Sequence, residues 1–241
     1  MKNNFFCNKS YINIFETPSN NSKISSQVLY GEEFKILKRE KYFLKIRTIY
    51  DNYIGYIKKR KFKKKINFSH KVKVLKTKIN KSDNYLPFLS KIEILDRKKN
   101  YVMFEKNKWI KNADICAISK KEKNFSNIFK LFLNCKYKWG GKTYKGIDCS
   151  ALVQLYYKYN RHFFPRDTVD QIKEKNGLVK KKNYKKGDII FWKGHVAVCI
   201  SNKDLIHAYG PKKKVIVMPI NETIERIKKT ANLKVKKVFR I

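Results

Sequence analysis

The sequence predicts an α+β fold, one helix followed by a run of antiparallel strands, with two small β-rich units ahead of it. Three observations predict this. Starting at Cys149, the apolar residues Leu152, Val153, Leu155, Tyr156 and Tyr159 recur at helical spacing and give a helix with a buried face. Beyond it, short alternating runs at about 187–192, 195–200, 205–209, 214–218 and 234–240 read as strands. A helix laid on such strands is an α+β plan. Third, the first half contains an internal repeat. Phe34–Ile46 lines up with Ile92–Phe104 at an offset of 58 residues, and each copy reaches a strand-like ending, Gly55–Lys58 and Lys108–Lys111, now at an offset of 53. The first copy therefore carries a turn about five residues longer, around Tyr50–Tyr53.

Repeated β-like segments separated by Asn, Asp and Ser turns, in units of about 55 residues, predict two small β-barrels. Their expected spans are 1–64 and 65–118, with a linker around 118–124. Residues 128–133 read as a short helix leading into the stretch Tyr137–Cys149. That stretch, with glycines at 140, 141 and 146, delivers a single cysteine onto the start of the long helix. Free N–H groups and the positive end of the helix dipole there favour a thiolate, the nucleophilic form of cysteine.

A nucleophilic thiolate needs an imidazole partner. Of four histidines, His195 and His207 lie in the strand-like runs His195–Ile200 and Leu205–Tyr209. Alternation places His195 on the face shared by Ala197 and Cys199, and an antiparallel neighbour sets His207 beside it. His195 is the expected general base and His207 the residue that orients its ring. His70 and His162 have no such pattern, and Cys7, Cys116, Cys135 and Cys199 read as small buried hydrophobes.

Several pieces then carry a resemblance: Tyr137-x-Trp139-Gly-Gly, Gly146-Ile-Asp-Cys-Ser-Ala-Leu-Val153, Pro165-Arg-Asp-Thr168 with Gln171, Gly187–Trp192, His195-Val-Ala-Val and His207-Ala. In order and separation, residues 124–241 resemble the NlpC family of papain-like cysteine peptidases, which cut bacterial cell-wall peptides. The preceding repeats resemble bacterial SH3-like domains, on pattern alone. Ala151 and Ala197 stand where the family more often has glycine, and Thr168 replaces a commoner serine.

The resemblance implies Cys149, His195, His207 and Tyr137 as catalytic residues, the Tyr137 hydroxyl helping to hold a tetrahedral oxyanion. It implies Asp148, Ser150, Arg166, Thr168 and Trp139 as substrate contacts, with Glu32 of the first repeat as a further carboxylate for the substrate's amino end. For Asp148, helix capping and substrate binding remain open. The implied reaction is hydrolysis of murein-derived peptides between γ-D-glutamate and the diamino acid, releasing L-Ala-γ-D-Glu during recycling. A wall-binding protein with an inactive peptidase fold, and an amidase or acyltransferase on another substrate, are the alternatives.

The net charge of +39 invites a nucleic-acid reading. Lysine outnumbers arginine 50 to 8 and is spread along the chain amid abundant Asn and Ile, the signature of A+T-rich coding. A solvated basic surface is expected, with no specific nucleic-acid partner. Five cysteines without a CxxC pair or zinc spacing predict neither a disulfide framework nor a metal, and no cofactor is expected. Residues 1–15 lack a continuous apolar core, and no apolar run approaches ~18 residues, so a cytoplasmic protein without a membrane span is expected. The sequence leaves the oligomeric state open.

Overall fold

A computed structural model of the chain describes residues 4–63, 66–80, 82–174 and 183–241. It divides into two compact units: Met1–Lys121 with Gly140–Tyr144, and Glu122–Trp139 with Lys145–Ile241. The expected boundary between 64 and 65 lies outside the described residues.

In the first unit, β1 (Asn4–Phe6), β2 (Tyr11–Phe15), β3 (Ile24–Leu29), β4 (Glu33–Arg39), β5 (Phe43–Thr48) and β6 (Ile54–Lys58) form one sheet in the order β1-β4-β5-β6-β2-β3. Its apolar positions converge on Cys7, Ile14, Val28, Phe34, Leu44, Ile46 and Ile57, a separate small core. Shorter strands follow: β7 (His70–Val72), β8 (Lys76–Lys78), β9 (Tyr85–Pro87), β10 (Lys91–Ile92), β11 (Asp96–Lys98), β12 (Tyr101–Glu105), β13 (Lys108–Lys111) and β14 (Ile115–Ala117). They make three small sheets, β10-β7-β14, β11-β12-β13 and β8-β9, around Val72, Leu86, Ile92, Val102, Phe104 and Ile110. The repeat is visible as the meanders β4-β5-β6 and β11-β12-β13. Among the described strands no sheet closes on itself, so the two expected barrels are seen here as sheets. In the second copy the strand corresponding to β4 is divided: Ile92 pairs with His70 of β7, while Asp96–Lys98 pairs with β12.

The second unit supplies α1 (Phe125–Leu131), capped by the Asn124 side chain accepting from the Ser126 N–H, and α2 (Cys149–Tyr159). The first unit's last strand, β15 (Lys142–Thr143), precedes β16 (Gly146–Ile147), which leads directly into α2. A one-turn α3 (Thr168–Gln171) follows. Then come β17 (Asp188–Trp192), β18 (His195–Cys199), β19 (Asp204–Tyr209), β20 (Lys214–Pro219), α4 (Ile220–Ala231) and β21 (Lys237–Arg240). The five strands form an antiparallel sheet in the order β20-β19-β18-β17-β21. Every residue of β17 is buried, as expected of a central strand covered on both faces. One face carries Ile190, Trp192, Ala197, Cys199, Leu205, Tyr209 and Met218, which pack with Ile220 and Ile227 of α4. α2 packs on β18 and β19.

The α4 helix is absent from the sequence reading. Its signal is Ile220, Ile224 and Ile227 at helical spacing within an otherwise charged segment, so that only one narrow stripe is apolar. No helix of the described residues is long and apolar enough to cross a membrane.

Candidate active site

Asp148 starts α2. Its backbone is extended, and its side chain accepts the Ala151 N–H at 2.8 Å, an N-cap typically worth ~1 kcal/mol. Cys149 is thereby the first helical residue, and it is buried. The approach is set by Gly146, whose φ of +149° and close neighbour demand glycine: an added Cβ would lie 2.5 Å from the Lys138 Cβ. That closeness lets Tyr137 pair in parallel with Ile147, two residues before the cysteine. The Tyr137 ring packs near Gly210, and burial raises its hydroxyl pKa, with Cys149 and Asp148 adding to the rise. The neutral phenol is therefore a hydrogen-bond donor at neutral pH.

His195 opens β18 and His207 lies in β19, where the register pairs Val198 with Ile206 and Cys199 with Leu205. The two histidines are then diagonal neighbours on one face. His195 Nε2 lies 2.9 Å from His207 Nδ1. His207 is fully buried, stacks on Tyr209 at 4.6 Å between centroids, and points Nε2 at the Met218 sulfur at 3.5 Å. A single tautomer chain leaves His195 with a lone pair for a proton: Nε2–H of His195 donates to His207 Nδ1, and the His207 proton sits on Nε2, facing a weak thioether acceptor. His195 Nδ1 is then the free basic nitrogen. Tyr209, Met218 and Trp192, whose ring centroid lies 5.6 Å from that of His195, are supporting residues that the sequence reading missed. The alternation of Leu205, His207 and Tyr209 carried the signal for one of them.

Burial pulls the His195 pKa down to about 4 and, together with His195, pulls that of His207 down further. Burial pushes the Cys149 thiol up to about 12, helped by Asp148 and opposed by hydrogen bonds from the Val196 and Ser150 backbone and by Arg166. The thiolate expected from the helix start is thus not the resting form. Burial favours the neutral thiol and the neutral imidazole alike.

A second network holds the first turn of α2. Arg166 donates Nη1 to Asp148 Oδ1 at 3.0 Å and Nη2 to Asp148 Oδ2 at 2.6 Å, a bidentate pair, and Nη1 also reaches Ser150 Oγ at 2.8 Å. Ser150 in turn donates to Asp148 Oδ1 at 3.1 Å. Asp148, Ser150 and Arg166 are all buried. Gln171, which the motif contained without an assigned role, donates Nε2 to the carbonyls of both Ser150 and Pro165 at 2.9 Å. It ties the helix start to the segment bearing Arg166.

The remaining expected contacts fall elsewhere. Thr168 is the half-buried first residue of α3, and Trp139 is 63% exposed. Glu32 belongs to the first unit, buried there, accepting the Leu29 N–H at 2.9 Å and lying 3.8 Å from the ammonium of Lys142. Among the described residues no group of three His, Cys, Asp or Glu side chains is placed to hold a metal ion, and none of the cysteines is joined in a disulfide.

Residues 134–232, which include this whole constellation, match the model of the NlpC/P60 family. Residues 14–62 match the bacterial dipeptidyl-peptidase Sh3 domain. A gamma-D-glutamyl-L-lysine dipeptidyl-peptidase of Bacillus cereus is 36% identical over 104 residues, 39% of this chain and 31% of that protein. A murein DD-endopeptidase/murein LD-carboxypeptidase of Escherichia coli is 33% identical over 93 residues, 36% of this chain and 48% of that protein. The matches thus span between about a third and a half of these relatives. Among solved structures, an NlpC/P60 family protein from Bacillus cereus superposes with a TM-score of 0.80 over 98% of this chain and 99% of that one, at 19% identity. An NlpC/P60 endopeptidase from Photobacterium damselae gives 0.61 over 97% and 70%, at 10% identity. At such identities the superpositions speak to fold alone.

Proposed function

We propose that the chain is a cysteine peptidase acting on murein-derived peptides, cleaving between γ-D-glutamate and the diamino acid and releasing L-Ala-γ-D-Glu. The observation that carries the reading is the 2.9 Å contact between His195 and His207, which leaves one basic nitrogen on His195 in the same domain as a cysteine at a helix start. As Cys149 attacks the γ-glutamyl carbonyl, His195 takes its proton and a carbon–sulfur bond forms. The Tyr137 hydroxyl donates to the oxyanion. His195 then protonates the departing amine, the C–N bond breaks, and a thioester remains. Water, deprotonated by His195, hydrolyses it, and the thiol regains its proton.

Support for the substrate class comes from the curated relatives, whose names include a gamma-D-glutamyl-L-lysine dipeptidyl-peptidase and murein endopeptidases. On this reading residues 1–64 and 65–118 are SH3-like domains and 124–241 the peptidase, working in the cytoplasm on recycled peptides. Asp148, with Ser150 beside it, takes the substrate's free ammonium; Arg166 holds both in place, and Trp139, Thr168 and Glu32 are further proposed contacts.

The test is to incubate the full chain with L-Ala-γ-D-Glu-diamino-acid peptides and, separately, with intact sacculi, and to identify products by mass. The dipeptide should appear from free peptides and be lost in Cys149→Ala. Turnover surviving in that variant would remove the nucleophile. Release from sacculi at a comparable rate would replace recycling with wall lysis.

A further inference from the structure

We propose that the outward face of the meander β4-β5-β6 docks on an anionic lipid surface. In these strands Phe34, Leu44, Ile46 and Ile57 turn into the core of the first unit. Alternation sends Lys35, Lys45, Arg47, Ile54, Tyr56 and Lys58 to the opposite face, and the bulge between Ile36 and Lys38 brings Lys38 onto it as well. Lys35, Lys38, Arg47 and Lys58 are exposed.

The pairing on this face works against the fold. Lys35 lies directly opposite Arg47 and Lys38 directly opposite Lys45, and like charges so placed destabilise a sheet. Carboxylates relieve little of this. Glu33, opposite Phe6 at the end of the same face, accepts from the Asn4 amide. Glu40, in the β4–β5 turn, lies 3.5 Å from the exposed Lys38 ammonium, a surface pair of small worth.

The second copy of the repeat serves as an internal control. A+T-rich coding weighs on both copies alike, yet the register of β11-β12-β13 contains no like-charged pair. Asp96 faces Met103, Lys98 faces Tyr101, Tyr101 faces Lys111, and Glu105 faces Lys108 with an ion pair at 2.5 Å. The cations of the first copy are therefore concentrated on one face beyond its share of the overall +39. A surface of opposite charge relieves the repulsion they carry.

Exposed apolar side chains select the kind of polyanion. Ile54, opposite Arg47, is 45% exposed, Leu37 in the bulge is 42% exposed, and Tyr42 in the β4–β5 turn is 67% exposed. Long basic side chains that reach phosphates, with apolar and aromatic groups at headgroup depth between them, fit a bilayer interface. Single-stranded nucleic acid instead needs open aromatic faces for its bases. Tyr56, the aromatic residue opposite Lys45, is half-buried, and the Lys45 ammonium lies 5.8 Å from its ring centroid.

This inference is independent of the peptidase reading, and its test uses no substrate. The full chain is co-sedimented, at about 0.15 M salt, with vesicles of phosphatidylcholine alone and of phosphatidylcholine mixed with phosphatidylglycerol. Binding is expected to the anionic vesicles only. Lys35→Gln/Arg47→Gln should weaken it about thirtyfold, the loss usual for two basic residues near such a surface. Because that variant removes a like-charged pair, its thermal midpoint should be no lower than that of the unaltered chain. Ile54→Ser, at an exposed position, should weaken binding about fivefold. Lys98→Gln/Lys111→Gln removes the same charge from the exposed face of the second copy and should stay within about threefold. No binding to the anionic vesicles, equal losses in the two double variants, no loss in Ile54→Ser, or release from the vesicles by oligodeoxythymidine at equal phosphate concentration would each overturn the proposal.

Discussion

Asp148 and Arg166 are buried as an ion pair, whereas His195 and His207, in the same domain, rest as neutral rings. The difference follows from what surrounds them. The carboxylate meets a guanidinium through two hydrogen bonds at 2.6 and 3.0 Å, plus a backbone N–H and a hydroxyl, enough to repay desolvation. The imidazoles meet each other, an aromatic face and a thioether, none of which carries the negative charge that would balance a buried imidazolium. Charge is therefore kept where it fixes geometry and withheld where the proposed reaction moves a proton.

The largest effect that would break this contrast is on stability. Arg166→Ala should cost about 3–5 kcal/mol in denaturant unfolding, because it strands a buried carboxylate. Arg166→Lys should recover only part, since an ammonium cannot make the bidentate pair. A loss below about 1 kcal/mol would mean the network is not holding the first turn of α2.

Next, if the proposed reading holds, acetylating the amine of an L-Ala-γ-D-Glu-diamino-acid peptide should lower kcat/KM by about two orders of magnitude. That loss would give the charged network a second role, in binding. Equal kcat/KM for free and acetylated peptides would leave Asp148 with capping and Arg166 pairing alone.

The neutral network is sharpened by substitution at His207. Replacement by Ala should lower kcat by roughly tenfold or more while Asn stays within a few-fold, because an Asn oxygen still accepts the Nε2–H of His195. Identical rates for the two would remove His207 from the orienting role. Neither should unfold the domain.

The smallest effect at neutral pH is electrostatic linkage. His195 titrates near 4 when folded and ordinarily near 6.5, so the unfolded chain binds the extra proton first. Stability from this group is complete above about 6.5 and drains away as pH falls toward 4. Cys149 has the opposite sense: folded stability should fall as pH rises from about 9 toward 12. Unfolding midpoints measured from pH 7 down to 4 should decline, less steeply in His195→Gln. An unchanged slope in that variant would show that the ring is not desolvated as the structure has it.

Much of the site was legible in sequence because its chemistry depends on local spacing. Asp148, Cys149 and the helix behind them are contiguous, and strand alternation with an antiparallel neighbour brings His207 beside His195. The Arg166 partner was not legible: it lies 18 residues from Asp148, and only the fold shows that its guanidinium is turned inward. Nor was the resting state of Cys149, since a helix dipole is implied by position but desolvation depends on the whole packed domain. In the first unit the repeat was visible in β4-β5-β6 and β11-β12-β13, while the division of the second copy after Ile92 was not, because pairing with β7 is decided by tertiary contacts. Lys142 shows the same limit. It reads as one more surface lysine, yet it is buried against Glu32.

The buried, protonated thiol of Cys149 also has a redox meaning. Oxidants and simple alkylating reagents attack thiolates, and attack fastest where solvent reaches the sulfur. Cys149 offers neither condition at rest, while the half-exposed Cys116 offers the second. Small-molecule labelling should therefore mark Cys116 ahead of Cys149, and peroxide should spare the proposed activity longer than a free cysteine would suggest. Only a reagent shaped like the proposed substrate, carrying its electrophile to the Cys149 sulfur while His195 takes the thiol proton, should reverse that order.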